Sequence, residues 1–67
     1  MKLEDLLNKT VVLELKDGSE VTGILMEIKD IDNKVEEIHE TRLIIRINSD
    51  EYKIIDINEI ETIGEII

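Results

Sequence analysis

The side chains of this 67-residue chain best able to hold a charged ligand are three cations in its C-terminal half. Arg42 and Arg46 lie on one alternating apolar–polar segment and Lys53 lies on the next, so a hairpin would bring them together. Such a cluster could bind a phosphate. The alternative is that these cations neutralise Asp56 and nearby glutamates as cross-strand pairs, each contributing roughly a few tenths of a kcal/mol. We favour the pairing role.

Other polar residues give no metal or catalytic constellation. Residues 30–33 resemble a fragment of a calcium loop, but the glycine and the distal glutamate that such a loop requires are missing. Residues 36–40 contain one histidine among glutamates, and a single histidine in so acidic a segment is typically solvated. Ser19 and Ser49 lie in predicted turns far from that histidine, and no cysteine is present as a nucleophile. We therefore expect no enzymatic activity, no cofactor and no metal.

The charge balance limits the partners of the chain. Seventeen acidic residues against eight basic ones give a formal net charge of -9. Affinity for a phosphate backbone comes from lysine and arginine, so a general nucleic-acid binder should not have this composition. Binding of RNA would require a local basic surface. Most of the acidic charge is expected to form a solvated surface that keeps the protein dispersed in water.

The size and composition indicate one small domain spanning residues 1–67. A domain of this length has a marginal core, so its core must be dense or shared with neighbouring subunits. The absence of cysteine excludes a disulfide scaffold. No secretory leader and no apolar run of about 20 residues is present, so we expect a cytoplasmic protein without membrane contact.

Local patterns predict a short helix followed by strands. Three leucines at positions 3, 6 and 7 share one side of a helix of about two turns. Alternation begins at Val11, and Asp17-Gly18 is typical of a hairpin turn in which the glycine has a positive φ. Gly23 lies inside the second strand, where a sharp bend is the simplest explanation. A three-residue loop 17–19 is the favoured register, and it pairs Leu15 with Val21, Leu13 with Gly23, Val11 with Leu25 and Lys16 with Glu20.

The rest of the chain continues the strand pattern. The apolar residues at 24, 26 and 28 occupy the second face of the second strand, which we expect to be buried on both sides. Residues 30–41 are a polar excursion that could continue this strand into a tip. A loop at 49–51 would pair Ile45 with Ile55 and place Asp56 between Arg42 and Arg46. A turn at 58–59 and a last strand over 60–63 follow.

This order of elements resembles the Sm and Sm-like family. Residues 6–25, LLNKTVVLELKDGSEVTGIL, are similar to the first part of its Sm1 motif, in which the turn glycine and the strand glycine, here Gly18 and Gly23, have a fixed spacing. Residues 58–63 resemble its closing turn and fifth strand. The resemblance implies a mostly-β fold, with a short N-terminal helix and a five-stranded, strongly bent antiparallel open barrel. SH3-like barrels share the same turns and remain an alternative fold.

The resemblance also implies a homo-oligomeric ring of six or seven subunits that takes part in RNA or ribonucleoprotein processes. Of the family's base-binding residues only the loop asparagine has a counterpart, Asn33, which turn formation beside Asp32 also explains. The loop lacks an aromatic residue, and the family's Arg-Gly pair reads as Asp56-Ile57. We therefore expect weak or absent direct RNA binding. The alternative function is a protein-interaction or assembly subunit that never contacts nucleic acid.

Overall fold

The computed structural model describes residues 2–67 and consists mainly of β-strands. The strands are β1 Thr10–Leu15, β2 Glu20–Asn33, β3 Ile38–Asn48, β4 Glu51–Asp56 and β5 Ile60–Glu65. They form one antiparallel sheet in the order β4-β3-β2-β1-β5, and within the described residues no pairing joins β4 to β5. The predicted mostly-β class with five antiparallel strands is confirmed, and the sheet is open.

The predicted N-terminal helix is wrong, because residues Leu3–Leu6 form only a 3₁₀ turn. Leu7 has an extended ψ of 135° and Asn8 has a φ of 66°, so the chain leaves helical geometry at once. Two turns have too few hydrogen bonds to hold an α-helix alone. Leu6 is nevertheless only 3% exposed and belongs to the core. No helix within residues 2–67 has the length and apolar character needed to cross a bilayer.

One face of the sheet encloses the core. Its members come from β1 to β4 and from the 3₁₀ turn, and they are Leu6, Val11, Leu13, Val21, Leu25, Leu43, Ile45 and Ile55. Five of them have less than 2% of their surface exposed. A single sheet without a second layer can exclude water this fully only if it curves around its own apolar face. We call the core side of the sheet its inner face and the opposite side its outer face.

Gly23 lies where β2 exchanges one partner strand for another. β2 pairs with β1 up to Ile24 and with β3 from Ile24 onward. A Cβ atom at position 23 would overlap the carbonyl oxygen of Arg46 and would lie 2.7 Å from Cγ2 of Ile45. The glycine is therefore required by the close approach of the β3 backbone, which the curvature of the sheet brings about.

A β-bulge at Met26 changes which residues of β2 face the core. Leu25 pairs with Ile45, but Glu27 pairs with Ile44, so Met26 is an extra residue in the ladder. The prediction that residues 24, 26 and 28 share one face is wrong, because a bulge reverses the alternation beyond it. Ile28 packs against the core instead, and Met26 is 37% exposed.

The β1–β2 turn differs from its predicted register by two residues. The loop is three residues long as expected, but it comprises residues 16–18, so Leu13 pairs with Val21 and Glu14 faces Glu20. Gly18 has the expected positive φ of 91°. The Asp17 carboxylate accepts hydrogen bonds from the backbone N–H and the hydroxyl of Ser19, at 2.8 and 2.6 Å. These bonds hold Ser19 at the start of the returning chain, and the predicted Lys16–Glu20 pairing is wrong.

The β3–β4 hairpin is displaced in the same way. Asn48 pairs with Glu51 across a two-residue turn, and its Oδ1 atom accepts from the N–H of Asp50 at 3.0 Å. Ile47 is an extra residue between the Arg46–Tyr52 and Asn48–Glu51 pairs, so beyond this bulge Ile55 pairs with Leu43 rather than with Ile45. The turn asparagine and the bulge together set this register.

The polar segment 30–41 forms the outer part of the β2–β3 hairpin. β2 and β3 remain paired as far as Asn33 and Ile38, which confirms the continuation of the second strand into a tip. We call residues 30–41 the arm, because the pairing of β2 with β1 and the pairing of β3 with β4 both lie outside this segment. The last strand is longer than predicted and ends at Glu65.

The close contact at Gly23 predicts a large cost for the smallest added side chain. Gly23→Ala should lower the free energy of unfolding by about 1–3 kcal/mol, because the β3 backbone must move away. Urea denaturation measures this change. Thr22→Ala on the exposed side of the same strand is the control, with an expected change within about 0.5 kcal/mol. Equal stability of the Gly23→Ala variant would contradict the account.

The turn geometry predicts a measurable pKa effect. The hydroxyl of Ser19, followed by its backbone N–H, stabilises the charged carboxylate and lowers the pKa of Asp17 below its ordinary value of 3.8. This contribution to stability is present above the ordinary value and is lost as the pH falls through the lowered pKa. Ser19→Ala should raise the pKa of Asp17, as followed by NMR titration of the carboxyl carbon. An unchanged titration would contradict the assignment of the hydroxyl as the main cause.

Candidate functional site

The outer face of β2, β3 and β4 carries three cations, Lys29, Arg42 and Arg46. Residues directly opposite one another in an antiparallel pair project to the same face. The registers therefore place three rows on the outer face, namely Lys29, Arg42 and Asp56, then Glu27, Ile44 and Ile54, then Ile24, Arg46 and Tyr52. The bulge at Met26 places Lys29 in the first row. We call these nine residues the β2–β4 outer face.

The structure brings together only part of the predicted basic cluster. Arg42 and Arg46 share the β2–β4 outer face, about 13 Å apart along β3. Lys53 pairs with Ile45 and lies on the inner side at the edge strand, so it is separated from the arginines. Lys29 lies beside Arg42, with about 5 Å expected between their Cβ atoms. Lys29 was not among the predicted site residues, although alternation through the arm around a four-residue turn would pair it with Arg42.

Arg42 is largely neutralised by its neighbours. One of its guanidinium nitrogens lies 2.6 Å from Oε2 of Glu40, two residues away on the same face. Arg42 also lines an open groove of about 380 Å³ together with Ile54, Asp56 and Glu59. Two carboxylates in this groove oppose the entry of a phosphate.

Asp56 lies directly opposite only one of the two arginines. It faces Arg42 across the strands, not Ile44, so the predicted placement between the two arginines is wrong. Its Oδ1 atom accepts a hydrogen bond from the N–H of Asn58 at 2.8 Å and caps the 3₁₀ turn Ile57–Glu59. The carboxylate therefore shapes the β4–β5 connection.

Arg46 and Lys29 are the more available cations of the face. Arg46 Nε donates to the carbonyl oxygen of Asn48 at 3.3 Å, and within residues 2–67 neither cation has a carboxylate within 4.0 Å. Tyr52 lies directly opposite Arg46 and is 54% exposed. A flat apolar ring beside a guanidinium can bind a planar group such as a base.

Asn33 lies away from these cations, at the end of the arm. It is four residues beyond Lys29 on β2, about 13 Å along the strand. Its Oδ1 atom accepts from the N–H groups of Val35 and Glu36, at 3.1 and 3.2 Å. The side chain therefore builds the turn at the tip.

The arm carries acidic and apolar side chains that are mostly exposed. Nδ1 of His39 lies 3.4 Å from Oδ1 of Asp32, and the hydroxyl of Thr41 donates to Asp30. Val35 at the tip is 94% exposed. No three His, Cys, Asp or Glu side chains in the described part of the chain converge on a common metal position.

Both outermost strands of the sheet are unpaired on one side. β4 pairs only with β3, and β5 pairs only with β1, as far as the described residues show. β4 presents Tyr52 and Ile54 to solvent. A second, apolar groove of about 290 Å³ is lined by Lys2, Leu3, Leu6, Ile57 and Ile63. Unpaired strand edges can bind further strands, from the same protein or from another.

Comparisons with protein-family models, with curated proteins and with solved structures found no match to this chain.

Proposed function

We propose that this chain is an Sm-like assembly module whose copies join through the free edges of β4 and β5 into a closed homo-oligomeric ring of six or seven subunits. The ring takes part in RNA or ribonucleoprotein processes in the cytoplasm, and its own contact with RNA is weak. The observation that carries this proposal is the open five-stranded sheet with an unpaired strand at each end. The similarity of residues 6–25 to the Sm1 motif gives independent support.

The free edges support assembly on physical grounds. An unpaired strand exposes a row of N–H and C=O groups, and a chain rich in isoleucine would aggregate if such edges stayed open. A head-to-tail contact between two different edges forms a ring when the rotation between neighbours closes. The small core of one chain would then be extended by each neighbour.

The cations of the β2–β4 outer face support a weak RNA contact. Lys29 and Arg46 are free of close carboxylates among the described residues, and Tyr52 lies next to Arg46. The remaining chain is strongly acidic and repels phosphate at longer range. Binding is therefore expected to be weak and to depend on salt.

The arm favours a second candidate function, a protein-interaction subunit without nucleic-acid contact. Its tip exposes Val35 and also bears Glu36 and Glu37. An exposed apolar side chain among carboxylates suits a basic protein surface better than RNA. The two functions differ in their ligand but share the same assembly.

The proposed ring predicts a discrete mass in solution. Light scattering at several protein concentrations should give six or seven times the mass of the 7.8 kDa chain, with little dependence on concentration. In a closed ring every strand edge is paired, so assembly stops at a fixed number of subunits. A monomer at all concentrations, or open-ended growth, would contradict the ring.

The proposed RNA contact predicts a charge-dependent affinity. Fluorescence anisotropy with a labelled uridine-rich or adenine-rich oligomer at low salt should show weak binding. Lys29→Glu and Arg46→Glu should each weaken it, with the salt slope reduced by about one for each lost phosphate contact. Lys34→Glu is a matched control with the same charge change, about 17 Å along the arm from Lys29. Absence of any binding at low salt would leave the protein-interaction function.

A further inference from the structure

Gly64 is the one glycine whose presence the described chain does not explain. Gly18 has a positive φ, and Gly23 is required by the backbone of β3. Gly64 lies in the extended strand β5 without a positive φ, and no atom lies within 4 Å of the position its Cβ would occupy. A glycine inside a strand costs about 0.5–1 kcal/mol relative to alanine. The isolated chain gives no structural reason for this destabilisation. The reason for the open position at Gly64 must therefore be a contact with another molecule.

The open space at Gly64 is on the outer face of the sheet. Ile63 pairs with the buried Leu13 on the inner face, so Gly64, which pairs with Val12, projects outward. It therefore forms a flat position on the free edge strand of one end of the sheet.

The other free edge has the opposite shape. Tyr52 and Ile54 of β4 also lie on the outer face, and they are 54% and 66% exposed. No strand in the described chain covers them from the β4 side. The β5 edge thus lacks a side chain at Gly64, whereas the β4 edge presents the large side chains of Tyr52 and Ile54.

Lys53 is the one cation on the two free edge strands of the described chain. β5 carries Glu61 and Glu65, and β4 carries Glu51 and Asp56 besides Lys53. Within the described residues Glu65 lies 3.3 Å from Lys9, whereas Lys53 has no carboxylate within 4.0 Å. A pairing of Lys53 with a glutamate of a neighbouring β5, such as Glu61, would favour one orientation of the contact.

We propose that Gly64 is the docking position for Tyr52 of a second copy, whose β4 adds to the free edge of β5. This inference rests on the proposed ring and names the contact that would define its interface. The outer faces of the two chains are continuous in this arrangement, which keeps Ile60 and Ile63 on the same side as the neighbour's core. The tyrosine ring lies over the glycine, a pairing that shields the bare backbone of an edge strand.

Intermolecular crosslinking tests the contact directly, because the chain contains no cysteine. Tyr52→Cys chains mixed with Gly64→Cys chains under an added oxidant should form disulfide-linked dimers, since facing Cβ atoms on adjacent strands lie close to disulfide distance. Neither variant alone should crosslink. Ile31→Cys mixed with Gly64→Cys is the control, because Ile31 lies on the arm away from both edges. Crosslinking of Tyr52→Cys with itself would overturn the proposal in favour of a symmetric β4–β4 contact.

The strength of assembly provides a second readout. Tyr52→Ala and Gly64→Val should each raise the concentration at which assembly is half dissociated by about tenfold or more. Thr22→Val, on the outer face of β2 and two strands away from the free edge of β5, is the control for Gly64→Val, and circular dichroism checks that each chain stays folded. If the wild-type protein never assembles, the proposed ring fails, and this contact fails with it. If it assembles and both variants assemble equally well, the ring stands and the docking of Tyr52 on Gly64 is overturned.

Discussion

The close approach of the β3 backbone to Gly23 is the constraint on which the rest of the structure depends. At this point β2 leaves β1 and begins to pair with β3, so both halves of the sheet share one strand. A side chain at position 23 would separate the strands and open the core between Leu25 and Ile45. Since the sheet has no second layer in the described chain, its curvature is the only means of excluding water from the apolar face.

The bulge at Met26 then decides what the outer face presents. One extra residue returns Ile28 to the core and moves Lys29 to the outside, beside Arg42. The cations that could contact a phosphate are therefore gathered by a local irregularity of the ladder. Their electrostatic effect remains modest, because Glu40 pairs with Arg42 and the chain as a whole has a net charge of -9. Within the described residues, Lys29 and Arg46 are the cations of the β2–β4 outer face that have no carboxylate within 4.0 Å.

The two strand edges differ in a way that the interior of the chain does not require. One edge has an uncovered glycine, Gly64, and two glutamates, while the other has the exposed side chains of Tyr52 and Ile54 and a lysine between two carboxylates. Edges of this kind are usually protected by charge or covered by another element. A contact between two unlike edges is head-to-tail, whereas a contact of one edge with its own copy is symmetric.

The sequence by itself determined the strand periodicity, the positive φ of Gly18 and the special position of Gly23, because each follows from local geometry. It also identified Arg42 and Arg46 as residues of one face. Only the tertiary structure decided the two hairpin registers, since a shift by two residues keeps every side chain on its predicted face and alternation cannot detect it. Hydrogen bonds accepted by the side chains of Asp17 and Asn48, together with the bulge at Ile47, settled these registers. The bulge that places Lys29 on the outer face depends on pairing with β3, and no local pattern encodes it.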